Sequence, residues 1–283
     1  MSNLPLPLLD APLHEHLRAH AQRTPDKPAY LWYGAALSFA ELDRASDAFA
    51  ARLAALGVRK GEPVALFMNN CPQYIMAHYG IQKLGAIVCP CGPLNKEHEL
   101  EYQLTDLQAR IIVAADNLLP VVDKVRDKTA LQHVFVVRYA DLLPAQPTLD
   151  VPPDLLAAQA SPHAMPDGLE DFLAVTRSGA KPPSVAIDMD NDVGLMTYTS
   201  GTTGLPKGAM LSFRNALYKT DVSVSTKGIA TDDVLLAIAP LYHIAGMLMG
   251  VNIPMLSGAT TVLLHRFDPL TVLQAIERHR VTW

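Results

Sequence analysis

From residue 37 onward, helix-like segments and short unbroken apolar runs take turns, and this alternation leaves the chain few architectures. The runs at 63–68, 86–89, 110–114, 134–137, 193–198, 233–239 and 260–264 read as buried strands. Between them the spacing predicts helices over 39–56, 71–84, 96–106, 118–129, 168–176, 213–224, 247–256 and 269–280. Ser38 and Glu41 stand at the spacing of a capping box, in which a hydroxyl and a carboxylate each bond the other's amide. Gly57 is well placed to end the helix that follows. Continuous apolar strands between amphipathic helices are expected when helices cover both faces of a sheet. The predicted fold class is therefore α/β, with mostly parallel sheets.

One stretch breaks the rhythm. Residues 139–167 are rich in Pro and Ala and weakly periodic, which reads as a long surface connection holding at most a short helix. A second polar stretch, RSGAKPPS, precedes a new start at Val185. These breaks place a first α/β subdomain at 1–184, including the irregular connection, and the start of a second at 185–283. The final residues, RHRVTW, read as a helix end and the opening of a strand. The expectation is a second subdomain truncated at its C-terminus.

Composition narrows the function classes. Apolar residues make up 49% of the 283 and charged residues 18%, which excludes a disordered chain. The net charge is −5 and no long basic run occurs, so nucleic acid is not an expected partner. No apolar run reaches the 18 or so residues that span a bilayer, and the N-terminus lacks the pattern of a signal peptide. Cys71, Cys89 and Cys91 form no regular framework, which points to a reducing, cytoplasmic setting and to buried thiols. Cys89-Pro90-Cys91 is spaced too closely for the usual metal hook, and no second ligand pair accompanies it.

The chemistry concentrates in residues 198–208, YTSGTTGLPKG. Glycines let backbone amides point into a concavity, hydroxyls add donors for phosphate oxygens, and Lys207 supplies a mobile cation. The stretch sits between a predicted strand and a predicted helix, where α/β proteins place phosphate loops. It is not a Walker A loop. Pro206 stands where that design needs a glycine amide, and Gly208 follows the lysine in place of Ser or Thr.

Position for position, YTSGTTGLPKG resembles the phosphate-loop signature of the adenylate-forming (AMP-binding) superfamily, which includes acyl-CoA synthetases, firefly luciferase and the adenylation domains of peptide synthetases. Residues 83–114 resemble the family's glycine-alanine turn and following helix. APLYHIAGM, residues 239–247, resembles its P-x-x-H segment. The order of the three agrees, and the similarity runs over essentially the whole chain.

The resemblance implies an enzyme of the acyl-CoA synthetase branch. Such enzymes join a carboxylic acid to ATP, release pyrophosphate and pass the acyl group to coenzyme A. Thr199, Ser200, Gly201, Thr202, Thr203, Gly204 and Lys207 would then contact the ATP phosphates, with Thr199 also helping to hold Mg2+. His243 would stand between the acyl pocket and the adenylate, with Ala245, Gly246 and Met247 lining that pocket. Arg266 would approach a phosphate of coenzyme A. Small residues after His243, without an aromatic, favour an aliphatic acid. An aryl-CoA ligase, an enzyme loading a carrier protein and a non-catalytic nucleotide-binding protein are the alternatives, and homo-oligomers are compatible with each.

The family also expects a Tyr-Gly-x-Thr/Ser-Glu stretch around adenine. The Tyr-Gly pairs here, Tyr33-Gly34 and Tyr79-Gly80, do not continue that way. The expectation is therefore the N-terminal portion of a synthetase, with little or no ligase activity of its own.

Overall fold

The computed structural model describes residues 10–160, 165–199 and 205–283. Helix α1 (Leu13–Arg23) leads into strands β1 (Pro28–Trp32) and β2 (Ala35–Ser38) and helix α2 (Phe39–Ala55). Strict alternation follows: β3 (Pro63–Phe67), α3 (Pro72–Lys83), β4 (Ile87–Cys91), α4 (Glu97–Leu107), β5 (Ile111–Ala115), α5 (Leu119–Arg126) and β6 (His133–Val137). Then come α6 (Pro153–Ala160), β7 (Glu170–Asp171), α7 (Phe172–Thr176), β8 (Val193–Thr199), β9 (Lys207–Ser212) and α8 (Phe213–Lys227). The remaining elements are β10 (Val234–Ala237), α9 (Ile244–Met247), α10 (Ile253–Ser257), β11 (Thr260–Leu263) and α11 (Pro269–His279).

The strands form two sheets. The larger has the order β7-β6-β5-β3-β4-β8-β9 and is parallel up to β8, with β9 antiparallel. The smaller has the order β10-β11-β1-β2, antiparallel between β1 and β2. Each sheet takes strands from both sides of residue 184. Side chains alternate across a strand, and the cores divide accordingly. Val64 and Leu66 of β3 join the main core with Tyr74 and Phe49, while Ala65 and Phe67 join a second core with Leu100, Leu104 and Val122 of α4 and α5. Helices thus cover both faces, as the unbroken apolar runs require.

The capping box forms as its spacing implies. Ser38 N donates to Glu41 Oε2 at 2.8 Å and Glu41 N to Ser38 Oγ at 3.2 Å. All three cysteines are buried and free, with Cys89 and Cys91 in the second core. No helix among the described residues is long and apolar enough to cross a membrane.

The structure differs from the sequence reading in four places. The β1–β2 hairpin was not expected. Tyr33 and Gly34 both take positive φ, 49° and 109°, in its two-residue turn, which matches the twist of paired strands. A Cβ on Gly34 would stand 2.8 Å from Thr148 Oγ1, so only glycine fits. The 139–167 connection is also more than a surface loop, because Leu143, Leu149 and Leu155 bury in the main core. The helix expected over 247–256 is broken into α9, a π turn at Leu248–Asn252 and α10. Pro254 has no amide to offer the Gly250 carbonyl one turn back, and the buried Tyr30 hydroxyl donates to that oxygen instead, at 2.9 Å. Finally, residues 281–283 lie along β10 without forming a strand: Thr282 N donates to Val234 O at 2.8 Å and Leu236 N to Trp283 O at 2.9 Å.

Candidate functional site

Strands β4 and β8 are parallel neighbours, paired at Val88 and Leu195, so their C-terminal ends open on the same edge of the sheet. Open α/β sheets bind ligands at that edge. A cleft of about 570 Å³ lies there. Gly92 and Asn95 line it after β4, Gln103 from α4, Thr197, Tyr198 and Thr199 from the end of β8, and Tyr242, His243 and Ile244 from the approach to α9. The volume falls within the range of small-molecule sites.

The phosphate-loop motif is placed differently from its expected strand–loop–helix setting. Its first residues, Tyr198 and Thr199, end β8, and its last, Lys207 and Gly208, begin β9, which pairs antiparallel with β8. Thr199 pairs with Lys207 and Tyr198 with Gly208. Residues directly opposite in an antiparallel pair share a face, so Thr199 and Lys207 present their side chains together at this end of the pair. Gly208 serves the packing here: a Cβ would come within 2.9 Å of Met196 Sδ on the facing strand. Ser200, Gly201, Thr202, Thr203 and Gly204 lie outside the described residues.

Helix α4 braces the end of β8 and the approach to β9. The Tyr102 hydroxyl donates to Pro206 O at 2.8 Å, and the Tyr198 hydroxyl donates to Asp106 Oδ2 at 2.5 Å. Tyr102 and Asp106 are four residues apart, hence on the same helix face. Burial, and then the adjacent Asp106 carboxylate, push the Tyr198 hydroxyl well above its ordinary pKa, which keeps it a donor. In the same cleft Asn95 Nδ2 donates to Gln103 Oε1 of α4 at 2.8 Å. Sequence reading marked residues 83–114 as a block, and it did not single out Asn95, Gln103, Tyr102 or Asp106.

His243 caps the N-terminus of α9 with its ring exposed and 4.5 Å from that of Tyr242. Its segment is held from behind by Asn70 and Tyr74. Asn70 Nδ2 donates to Ala239 O at 3.1 Å, Asn70 Oδ1 accepts from Leu241 N at 2.8 Å, and the Tyr74 hydroxyl donates to Leu241 O at 3.0 Å. No motif in the sequence marks these two anchors.

The other residues assigned from the resemblance sit elsewhere. Met247 is fully buried in the main core and does not line the cleft. The space beside Gly246 is taken by the Pro240 carbonyl, so that glycine allows close packing and opens no room. Ala245 is exposed but is not part of the cleft wall. Exposed Arg266 pairs with Asp154 of α6 at 3.0 Å.

Among the described residues no group of three or more His, Cys, Asp or Glu side chains is arranged to hold a metal. Glu99 also lines the cleft, and its Oε2 accepts the Lys96 amide at 3.0 Å.

Known proteins agree with this architecture. A long-chain-fatty-acid–CoA ligase of Bacillus subtilis is 32% identical over 284 residues, covering 98% of this chain and 50% of that protein. A 4-coumarate–CoA ligase of rice is 29% identical, covering 96% and 46%. The chain thus spans about half the length of the curated relatives it matches. Among solved structures, a long-chain-fatty-acid-CoA ligase from Archaeoglobus fulgidus superposes with a TM-score of 0.79 at 25% identity, over 95% of this chain and 50% of that one. An anthranilate CoA ligase in complex with anthranoyl-AMP gives 0.82 at 24% identity, over 99% and 50%, and supports the fold. The profile described as AMP-binding enzyme matches residues 17–283, and with this cleft at the end of β8 the chain belongs to that family.

Proposed function

We propose that the chain supplies the phosphate- and acid-binding part of an ATP-dependent acid–thiol ligase. An oxygen of the carboxylate attacks the α-phosphorus of ATP, the bond to pyrophosphate breaks, and an acyl-adenylate forms. The sulfur of coenzyme A then attacks the acyl carbon, its proton is lost and AMP leaves. A carboxylate is a poor electrophile, and AMP turns it into one with a good leaving group. Donors fixed around the departing pyrophosphate are what such a step needs.

The observation that carries this reading is the shared cleft of Thr199 and His243, with Lys207 paired to Thr199. Lys207, Thr199 and residues 200–204 are proposed to contact the phosphates, and His243 to stand between acid and adenylate. Magnesium would arrive with the nucleotide, held mainly by phosphate oxygens and water. Of the residues after His243, Ile244 lines the cleft and is the better placed to meet the acid. A fatty acid is the proposed substrate, supported by the identity to long-chain-fatty-acid–CoA ligases. The coumarate-ligase relatives keep an aryl acid as the second reading.

These 283 residues by themselves are proposed to bind ATP without sustaining turnover, since no Tyr-Gly-x-Thr/Ser-Glu stretch occurs among them. The protein is proposed to act in the cytoplasm. Self-association is supported by the exposed apolar face of α11, at Leu270, Leu273 and Ile276; a concentration-independent monomer in light scattering overturns it.

Two measurements test the function. Titration with a fluorescent ATP analogue should show saturable binding, and its absence overturns the reading. ATP–pyrophosphate exchange over fatty, aryl and carrier-bound acids should stay at background, and robust exchange refutes the claim of binding without turnover. Exchange with one acid class by a longer form of the protein would identify the substrate.

A further inference from the structure

A second cavity, of about 340 Å³, opens between the β1–β2 hairpin, α2, the start of α3 and α7. It shares no lining residue with the cleft at Thr199 and His243. Its walls are apolar, formed by Trp32, Leu37, Met76, Leu142 and Leu173 among others. Two exposed arginines stand at its mouth, Arg44 on α2 and Arg177 at the C-terminal cap of α7.

The charge at this mouth is unbalanced. Neither guanidinium has a hydrogen-bonded or ion-paired partner among the described residues. Glu41 is the one carboxylate in the lining, and one of its oxygens accepts the Ser38 amide. Asp141 lies near enough to feel Arg177, but its own contact is with Arg138 at 3.6 Å. Two cationic forks above an apolar chamber suit a ligand with one anionic end and one hydrocarbon end. Guanidinium geometry favours a carboxylate, which it can bind through two parallel hydrogen bonds. At about 30 Å³ of liquid volume per water, the chamber holds roughly ten non-hydrogen atoms.

We propose that this cavity binds a small amphiphilic carboxylate, with its chain against Trp32 and Met76 and its head between Arg44 and Arg177. The site is separate from the cleft and needs neither ATP nor turnover.

The chain has two tryptophans, so Trp283→Phe leaves Trp32 as a reporter inside the cavity. Decanoate added to this variant should change Trp32 emission saturably, with Kd below about 1 mM. Arg44→Gln with Arg177→Gln should raise that Kd about tenfold or more, the worth of a charge-assisted hydrogen bond, while 1-decanol binding stays within about twofold. Ala45→Leu, which fills the chamber, should abolish both signals. No saturable change in Trp32 emission overturns the proposal, as does a decanoate Kd indifferent to the two arginines. If the buried Ala45→Leu change prevents folding, the arginine pair still decides, because both side chains are exposed and their loss leaves the fold intact.

Discussion

Lys83→Met is a perturbation whose cost can be worked from the structure. The Lys83 side chain is 1% exposed, and its ammonium donates to Asp43 O at 2.9 Å, Asp43 Oδ1 at 2.6 Å and Asp47 Oδ1 at 2.6 Å. Asp47 is almost as buried, at 5% exposed. Methionine keeps the stem and removes the charge, leaving Asp47 without its most buried partner. Breaking a buried pair in this way costs about 3–5 kcal/mol. Lys181 at 2.8 Å and Arg18 at 3.6 Å remain beside Asp47, both on solvent-accessible side chains. The loss should therefore fall at the lower end, about 3 kcal/mol, or about 6–12 °C in Tm at the 2–4 °C per kcal/mol of a larger domain. Urea unfolding followed by far-UV circular dichroism reads this directly. Combined with Asp47→Asn, the losses should fall short of additive by about 1 kcal/mol or more, because the two groups share one network. Acid dependence gives an independent check. Burial would raise the Asp47 carboxyl, but Lys83 and Lys181 outweigh it and hold the group below its ordinary value. A depressed carboxyl stabilises the fold above its unfolded pKa of about 3.9 and loses that contribution as pH falls through the lower folded value. The wild-type protein should therefore lose this stability below about pH 4, and Lys83→Met should flatten that part of the curve. A variant within about 1 kcal/mol of wild type, or losses that add within about 0.5 kcal/mol, would refute the argument.

Three further outcomes are expected. Tyr30→Phe leaves the buried Gly250 carbonyl without its donor and should cost about 1–3 kcal/mol in denaturant unfolding. Gly246→Ala puts a methyl group against the Pro240 carbonyl and should destabilise by more than about 2 kcal/mol, seen as a lowered midpoint, whereas a lining residue would tolerate it. Lys207→Ala should weaken binding of the ATP analogue by about tenfold or more with Tm nearly unchanged, since the side chain is exposed at the start of β9.

Strands β3 to β6 were legible because each is an unbroken apolar run between amphipathic helices, and nothing else in the chain competes for that pattern. The hairpin of β1 and β2 was not, although Tyr33-Gly34 stands at its turn. Its second strand is Ala-Ala-Leu-Ser, which has little intrinsic strand preference and is held by pairing to β1. Strand β9 was hidden by the motif itself, whose lysine and glycine suggest a loop running straight into α8. Thr199 and His243, which their motifs mark in the sequence, both line the cleft, with Lys207 paired to Thr199. Ala245, Gly246 and Met247 do not line it. Met247 is buried in the main core, whereas the exposed Ile244 lines the cleft. Asn70, Tyr74 and the α4 brace act through hydrogen bonds to carbonyls distant in sequence, which leave no local pattern.

The pairing of Tyr30 with Thr261 has a consequence for biosynthesis. Residues 231 positions apart must meet before β1 gains its parallel neighbour. At roughly 5–20 residues per second on the ribosome, that neighbour emerges roughly ten to fifty seconds after Tyr30. Strands β3 to β6 find one another long before, so the larger sheet can start to form while the first hairpin still lacks its neighbour β11. Protease pulses on arrested nascent chains should therefore cut near residues 28–38 until β11 has cleared the exit tunnel, and early protection there would contradict this order. For that interval, the hairpin edge that later joins the two halves of the chain is an unpaired strand open to whatever passes.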